Sequence, residues 1–246
     1  MRGLPRIPDL LTTANLVCGT ASILLASQGQ LTVACWLVFA GAAFDVLDGL
    51  AARALGGGTE LGKQLDSLAD LVTFGVAPAF AVFMAASPVT TGLPEWPVGA
   101  SAMALVVAST WRLARFNIDD RQFSGFLGMP TPANGLTWIA VVLVITGEGL
   151  HGGPGTHQLR SVCVEMANSP SALLAACVGM AVLMLSSIPL PSLKFKHFGW
   201  RGNEVIYLLL GIGAMLVVLY GVLAVPLILV LYLLSPLWGR VFLKVG

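Results

Sequence analysis

Eight apolar stretches follow one another along this chain, near residues 10–27, 31–55, 65–86, 98–116, 132–147, 171–189, 204–220 and 223–239. Each approaches the roughly 20 residues that a helix needs to cross about 30 Å of hydrocarbon. Lipid offers the backbone no hydrogen-bond partners, so a crossing segment must satisfy its own peptide groups, and a helix does so locally. The fold class expected is therefore all-α: a polytopic membrane helix bundle of about eight transmembrane helices. With 57% hydrophobic and only 10% charged residues, the chain cannot cover itself with a water-soluble surface. The last two stretches form one tract that would overshoot a bilayer as a single helix, and the split is expected around Gly221 and Pro226. The first run follows Arg2 and Arg6, as a secretory leader would. Asn15, Gly19 and Thr20 interrupt it and no small-residue cleavage site comes after it, so it reads as a retained first helix.

Basic residues near span ends stay in the cytoplasm, which orients the bundle. With the N-terminus inside, the inner segments hold Arg2, Arg6, Arg53, Lys63, Arg112, Arg115, Arg121, Lys194, Lys196, Arg201, Arg240 and Lys244, leaving only Arg160 of the 13 Lys and Arg outside. The expectation is a multi-pass protein of the inner cell membrane with both termini cytoplasmic. Residues 1–9 are expected to lie along the inner interface, and residues 1–246 to form a single integral membrane domain. The external stretch 148–170, Gly-rich from His151 to Gly155, reads as a flexible linker. Its histidines, His151 and His157, have no Cys or carboxylate companions at ligand spacing. Four cysteines without a Cys-x-x-Cys pair read as small buried hydrophobes, and a net charge of +1 gives no reason to expect nucleic acid.

Chemistry concentrates between residues 45 and 70. At 100° per residue Asp45, Asp48, Gly49 and Ala52 share one helix face, and Gly62, Asp66 and Asp70 share a face of the next. The link between them contains Gly56, Gly57 and Gly58 and is short enough to force the two helices antiparallel and adjacent. Four carboxylates then converge near the cytoplasmic membrane surface. Two such charges a few ångströms apart repel by about 4 kcal/mol at an effective dielectric near 20, so cations must offset them. An all-oxygen donor set without His or Cys suits two divalent ions such as Mg²⁺ or Mn²⁺, spaced about 3.5–4 Å so as to bracket a phosphoryl group. Gly49, Ala52 and Gly62 lack bulk on the same faces, leaving room for a nucleotide or pyrophosphate, although small residues at this spacing also serve helix packing. Arg53 can contact phosphate, with interfacial snorkelling as its plainer role.

These residues match D-x2-D-G-x2-A-R-x8-G-x3-D-x3-D at every specified position from Asp45 to Asp70, and the chain thereby resembles the CDP-alcohol phosphatidyltransferase family. The resemblance implies a six-helix catalytic core, here 10–189, followed by a C-terminal helix pair, 204–239. It also implies a dinuclear divalent-metal site, a CDP-lipid substrate, CMP as leaving group and a homodimer. It makes the four aspartates the builders of that site, with Asp45, Asp48 and Asp66 mainly metal ligands and Asp70 both a metal-site residue and the acceptor of the proton from the attacking alcohol.

Further stretches resemble the phosphatidylserine synthase branch: Pro8 to Gly19, Ala69 to Pro78, Arg112 to Asn117, and Phe126 to Pro132. The last departs from the branch pattern at Met129 and at Asn134-Gly135. The implied reaction joins CDP-diacylglycerol to L-serine among membrane lipids. Asp9, Thr12 and Asn15, spaced by three on one side of the first span, are candidates to meet the nucleotide, with helix capping as the competing role for Asp9 and Thr12. Arg112 and Arg115 are candidates for the serine carboxylate and Asn117 for a polar neighbour, against simple interfacial anchoring. Glycerol 3-phosphate, inositol phosphate and choline remain open as acceptors. A cation transporter is the reading from another class, and it would spread its acids through the bilayer depth instead of clustering them.

Overall fold

The computed structural model describes residues 6–86, 96–118, 126–190 and 204–243. Arg2, Arg121, Lys194, Lys196, Arg201 and Lys244, and most of the expected interfacial segment 1–9, lie outside these residues.

The described chain is almost entirely helical. Helices α1 (Ile7–Ser27) and α2 (Leu31–Ala54) form an antiparallel pair. Helix α3 (Glu60–Asp70) runs through a π-helical turn, Leu71–Val76, into α4 (Ala77–Ala86). Then come α5 (Trp96–Ile118), β1 (Phe126–Leu127), α6 (Thr131–Thr146), α7 (Thr156–Asn168), α8 (Pro170–Leu185), β2 (Pro189–Leu190), α9 (Glu204–Tyr220) and α10 (Ala224–Leu243). The two short strands pair antiparallel, Phe126 with Leu190 and Leu127 with Pro189, and join the ends of α5 and α8, which pack along one another.

Three helical rods among the described residues are long and apolar enough to cross a membrane: Ile7–Ser27, Leu31–Ala54 and Glu60–Ala86. Thr131–Thr146, Ile206–Tyr220 and Ala224–Pro236 are shorter apolar helices. The side chains are arranged as lipid requires. In α1 the buried face is Thr12, Asn15, Gly19, Ser22 and Ala26, while Leu10, Val17 and Leu24 point outward. In α2 the buried face includes Ala34, Cys35, Gly41 and Asp48, while Val33, Trp36, Val46 and Leu50 are exposed. Without water to drive apolar side chains together, small and polar residues make the helix contacts and the large aliphatic ones meet lipid. At the centre stand α4 and α6, buried almost all round, with Phe74, Ile139, Leu143 and Leu173 wholly enclosed.

The stretch 148–170 corrects the sequence expectation of a flexible linker. It contains α7, bent by 103° from α8, with Leu159, Cys163, Met166 and Ala167 recurring at helical spacing and Ala167 buried. Gly155 takes a left-handed φ of 76° and admits the turn into α7, and Arg160 donates from Nε to the Val144 carbonyl at 3.3 Å. At the other end of the chain the long apolar tract turns at Gly221, whose φ is 60°, and α10 starts three residues later with Pro226 in its first turn.

Thr73, inside the π-helical turn, forms the pedestal on which α1 and α2 rest. Its hydroxyl donates to the Asn15 carbonyl at 3.0 Å, and both neighbouring helices present glycine to it. A Cβ on Gly19 would lie 2.7 Å from Thr73 Cα, and one on Gly41 would lie 2.7 Å from Thr73 Cγ2. Gly19→Ala should therefore lower stability by about 1–3 kcal/mol through overpacking, read as a lower thermal midpoint in detergent micelles. An unchanged midpoint would show that α1 does not sit this tightly in the folded protein.

Candidate active site

The link between α2 and α3 reverses the chain by local means. Gly56 and Gly57 adopt φ of 90° and 108°, which a side chain would disfavour, and Gly57 N–H closes on the Ala52 carbonyl at 2.8 Å. Thr59 then caps α3, its Oγ1 accepting from Gly62 N–H at 2.9 Å. This brings the two acidic helix faces together. Carboxylate oxygens of Asp45, Asp48 and Asp66 lie within 4.8 Å of one another. Asp70 stands outside that triplet but within hydrogen-bonding reach of Asp45. Asp48 and Asp70 are buried, at 6% and 9% exposure, and Asp45 and Asp66 are half-buried.

The first helix addresses these carboxylates directly. Thr12 Oγ1 lies 2.6 Å from Asp48 Oδ2 and 3.0 Å from the Pro8 carbonyl, and its single proton serves the closer, charged oxygen. Asn15 Nδ2 faces Asp70 Oδ1 at 3.5 Å. Two of the three polar residues on this face of α1 thus orient aspartates. Asp9 instead closes the helix start, accepting from Arg6 N–H at 2.9 Å.

The small residues divide into two kinds. A Cβ on Gly62 would meet Asp9 Oδ1 and Thr59 Oγ1, each at 3.1 Å, so the close seat of α1 on α3 accounts for that glycine. A Cβ on Gly49 would meet only the guanidinium of exposed Arg53, at 3.8 Å. Helix packing does not require a glycine there, and the space above it lies next to the triplet. Ala52, one turn on, is half-buried.

The three residues expected to serve an acceptor also part company. Arg112 is buried at 8% exposure, donates from Nη1 to Thr131 Oγ1 at 3.3 Å, lies 5.8 Å over the Phe116 ring and is within electrostatic reach of Asp70. Arg115 is exposed and donates to the Leu185 carbonyl at the end of α8 at 3.3 Å. Asn117 exchanges hydrogen bonds with Ser67 at 2.9 and 3.0 Å, and its carbonyl accepts from Lys63 Nζ at 3.2 Å. Arg115 and Asn117 therefore tie α5 to α8 and to α3, whereas Arg112 alone of the three faces the aspartates. Sequence reasoning gave no role to Thr73, Ser109, Thr131 and Asn134, all buried on the helices around Asp70. Polar residues three apart inside apolar runs, Ser109 with Arg112 and Thr131 with Asn134, were the available signal.

Comparison with known proteins identifies the family. The chain is 33% identical over 241 residues to a CDP-diacylglycerol–serine O-phosphatidyltransferase of Helicobacter pylori, covering 97% of this chain and 92% of that protein. It is 32% identical over 191 residues to the enzyme of the same name from Bacillus subtilis, covering 78% of this chain and 92% of that protein. Among solved structures it is similar to the phosphatidylinositol phosphate synthase of Mycobacterium tuberculosis, at 22% identity over 74% of this chain and 84% of that one, with a TM-score of 0.45. Residues 6–178 match the family profile whose signature the aspartates fill, and the chain belongs to the CDP-alcohol phosphatidyltransferase family.

Proposed function

We propose that this membrane protein transfers the phosphatidyl group of CDP-diacylglycerol to L-serine, giving phosphatidylserine and CMP at the cytoplasmic face of the inner cell membrane. The observation that carries the reading is the convergence of Asp45, Asp48 and Asp66 within 4.8 Å, in a chain a third identical to enzymes named for this reaction. The alternation of basic residues supports eight spans with both termini inside.

The donor set fits hard divalent cations. Three carboxylates at this spacing, with no nitrogen or sulfur among them, suit Mg²⁺ or Mn²⁺ held by Asp45, Asp48 and Asp66, with Asp70 beside Asp45 available to a second ion. When bound, such ions would neutralise a pyrophosphate and the negative charge that builds on phosphorus during transfer. The chain's own residues do the rest. Thr12 and Asn15 fix the rotamers of Asp48 and Asp70. The space above Gly49, bordered by Arg53, admits the pyrophosphate, while the acyl chains stay in lipid. The serine hydroxyl oxygen forms the new bond to the phosphorus that carries diacylglycerol. The bond from that phosphorus to the bridging oxygen breaks with its electron pair, CMP departs, and the hydroxyl proton passes to Asp70. Arg112, buried and close to Asp70, is positioned to receive the serine carboxylate.

Radiolabelled L-serine supplied with CDP-diacylglycerol to the purified protein should yield labelled lipid, and a chelator should abolish it, with Mg²⁺ or Mn²⁺ restoring it. Label entering lipid from glycerol 3-phosphate but not from serine would reassign the acceptor and leave the chemistry standing.

A further inference from the structure

Buried polar atoms left without a partner are rare in folded proteins, and where they gather they point to a ligand or ordered water. Among the described residues Ser109 Oγ, Arg112 Nε and Asn134 Oδ1 are all buried and unpartnered, with Asn134 at 1% exposure and Ser109 at 0%. They lie on two helix faces that pack on the same π-helical turn. Ser109 and Arg112 are one turn apart on α5, and Thr131 and Asn134 are one turn apart on α6. Arg112 bonds Thr131 across the gap. Both faces close on the π-helical turn just beyond Asp70: a Cβ on Gly75 would lie 3.0 Å from Ser109 Cβ, and one on Gly135 would lie 2.8 Å from Phe74 Cα.

We infer that Ser109, Arg112, Thr131 and Asn134 form a binding pocket for a small zwitterion bearing both a carboxylate and an ammonium group, and that Ser109 and Asn134 set the acceptor specificity of the enzyme. The inference rests on the serine reading and deepens it. Arg112 offers its free Nε–H to a carboxylate. Thr131, accepting from Arg112, keeps its own hydroxyl proton to donate to the same group. Asn134 Oδ1 and Ser109 Oγ carry lone pairs and suit an ammonium, which has only donors. A ligand filled in this way satisfies the three unpartnered atoms and adds no net charge beside Asp70. A phosphorylated alcohol would bring two negative charges to Arg112, the single cation among these four described residues. A bare amino alcohol would leave that arginine facing a cation. The pocket lies on the α5 and α6 side of Asp70, while Asp45 meets Asp70 from α2, so donor lipid and acceptor would approach the base from different helices.

The test compares three acceptors on the full-length enzyme in micelles: L-serine, 3-hydroxypropionate, which lacks the ammonium, and ethanolamine, which lacks the carboxylate. Asn134→Leu should raise KM for serine about 10-fold or more, the size of one lost hydrogen bond to a charged group. It should shrink the preference for serine over 3-hydroxypropionate by a similar factor and spare the preference over ethanolamine. Ser109→Ala, too small a change to endanger folding, should act in the same direction by several-fold. Arg112→Gln should do the reverse, shrinking the preference over ethanolamine. A purely structural role would depress all three acceptors together, and that result, or an unchanged serine KM in both the Asn134 and Ser109 variants, overturns the pocket while serine transfer by the wild type stands. A wild-type enzyme that labels no lipid from serine overturns the pocket and the serine reading together.

Discussion

Asp66→Asn should reduce phosphatidylserine formation by about three powers of ten while the protein still inserts and elutes from a sizing column as the wild type does. Asp66 is half-buried, with its carboxylate inside the 4.8 Å triplet shared with Asp45 and Asp48. Asparagine keeps the shape and one oxygen but removes the charge, and hard divalent ions bind a neutral amide oxygen less strongly than a carboxylate. Charge stabilisation by such ions contributes several kcal/mol to transfer at phosphorus, and each 1.36 kcal/mol is a factor of ten. The loss should come with a raised requirement for Mg²⁺ or Mn²⁺, visible in a metal titration of whatever turnover persists. Removing one of several packed like charges also relieves repulsion, so the variant should melt no lower than the wild type in the absence of metal. Wild-type turnover at an unchanged metal requirement would remove Asp66 from the ligand set.

The sequence carried the site more legibly than the surroundings that hold it. Four aspartates at fixed spacings, the small residues on their faces and the Gly56-Gly57 reversal are local features, and helix geometry turns spacing into proximity. The chain split at Gly221 was legible for the same reason, because glycine permits a left-handed turn. By contrast, α7 was obscured by the glycines that precede it. A run from His151 to Gly155 reads as linker, yet Leu159, Cys163, Met166 and Ala167 already had helical period, and Gly155 is simply the turn into it.

The roles of Thr12, Asn15, Arg115 and Asn117 depend on which helices become neighbours, and that is set by packing between segments distant in sequence. Thr12 lies 36 positions from Asp48 and Asn15 lies 55 from Asp70. Nothing in α1 alone distinguishes a group that meets nucleotide from one that orients an aspartate. The same limit applies to Ser109 and Asn134. Their polarity was visible, but their lack of partners exists only once α5, α6 and the π-helical turn have closed around them.

Asp70→Asn should lower kcat by about 10²- to 10⁴-fold, the usual range for losing a positioned base, while KM for CDP-diacylglycerol changes only a few-fold. Three helices converge on this carboxylate: Asn15 of α1 faces it at 3.5 Å, Asp45 of α2 is within hydrogen-bonding reach, and Arg112 of α5 is close enough to feel its charge. Asp70 also ends the regular part of its helix. The π-helical turn begins at the next residue and carries Thr73, whose bond to the Asn15 carbonyl fixes the same α1 residue that faces Asp70. Thr73 lies within that turn, while Asp66 and Asp70 stay one turn apart on the regular helix before it. The outcome to compare is the kcat and KM split against Asp66→Asn. If Asp70 acts on the hydroxyl proton, its asparagine variant should bind CDP-diacylglycerol nearly as the wild type does, keep the ion held by Asp45, Asp48 and Asp66 with at most a modest rise in metal requirement, and fail at transfer. If it acts only as another ligand, the metal requirement should rise as steeply as in Asp66→Asn, and the assignment of the proton to Asp70 would be lost.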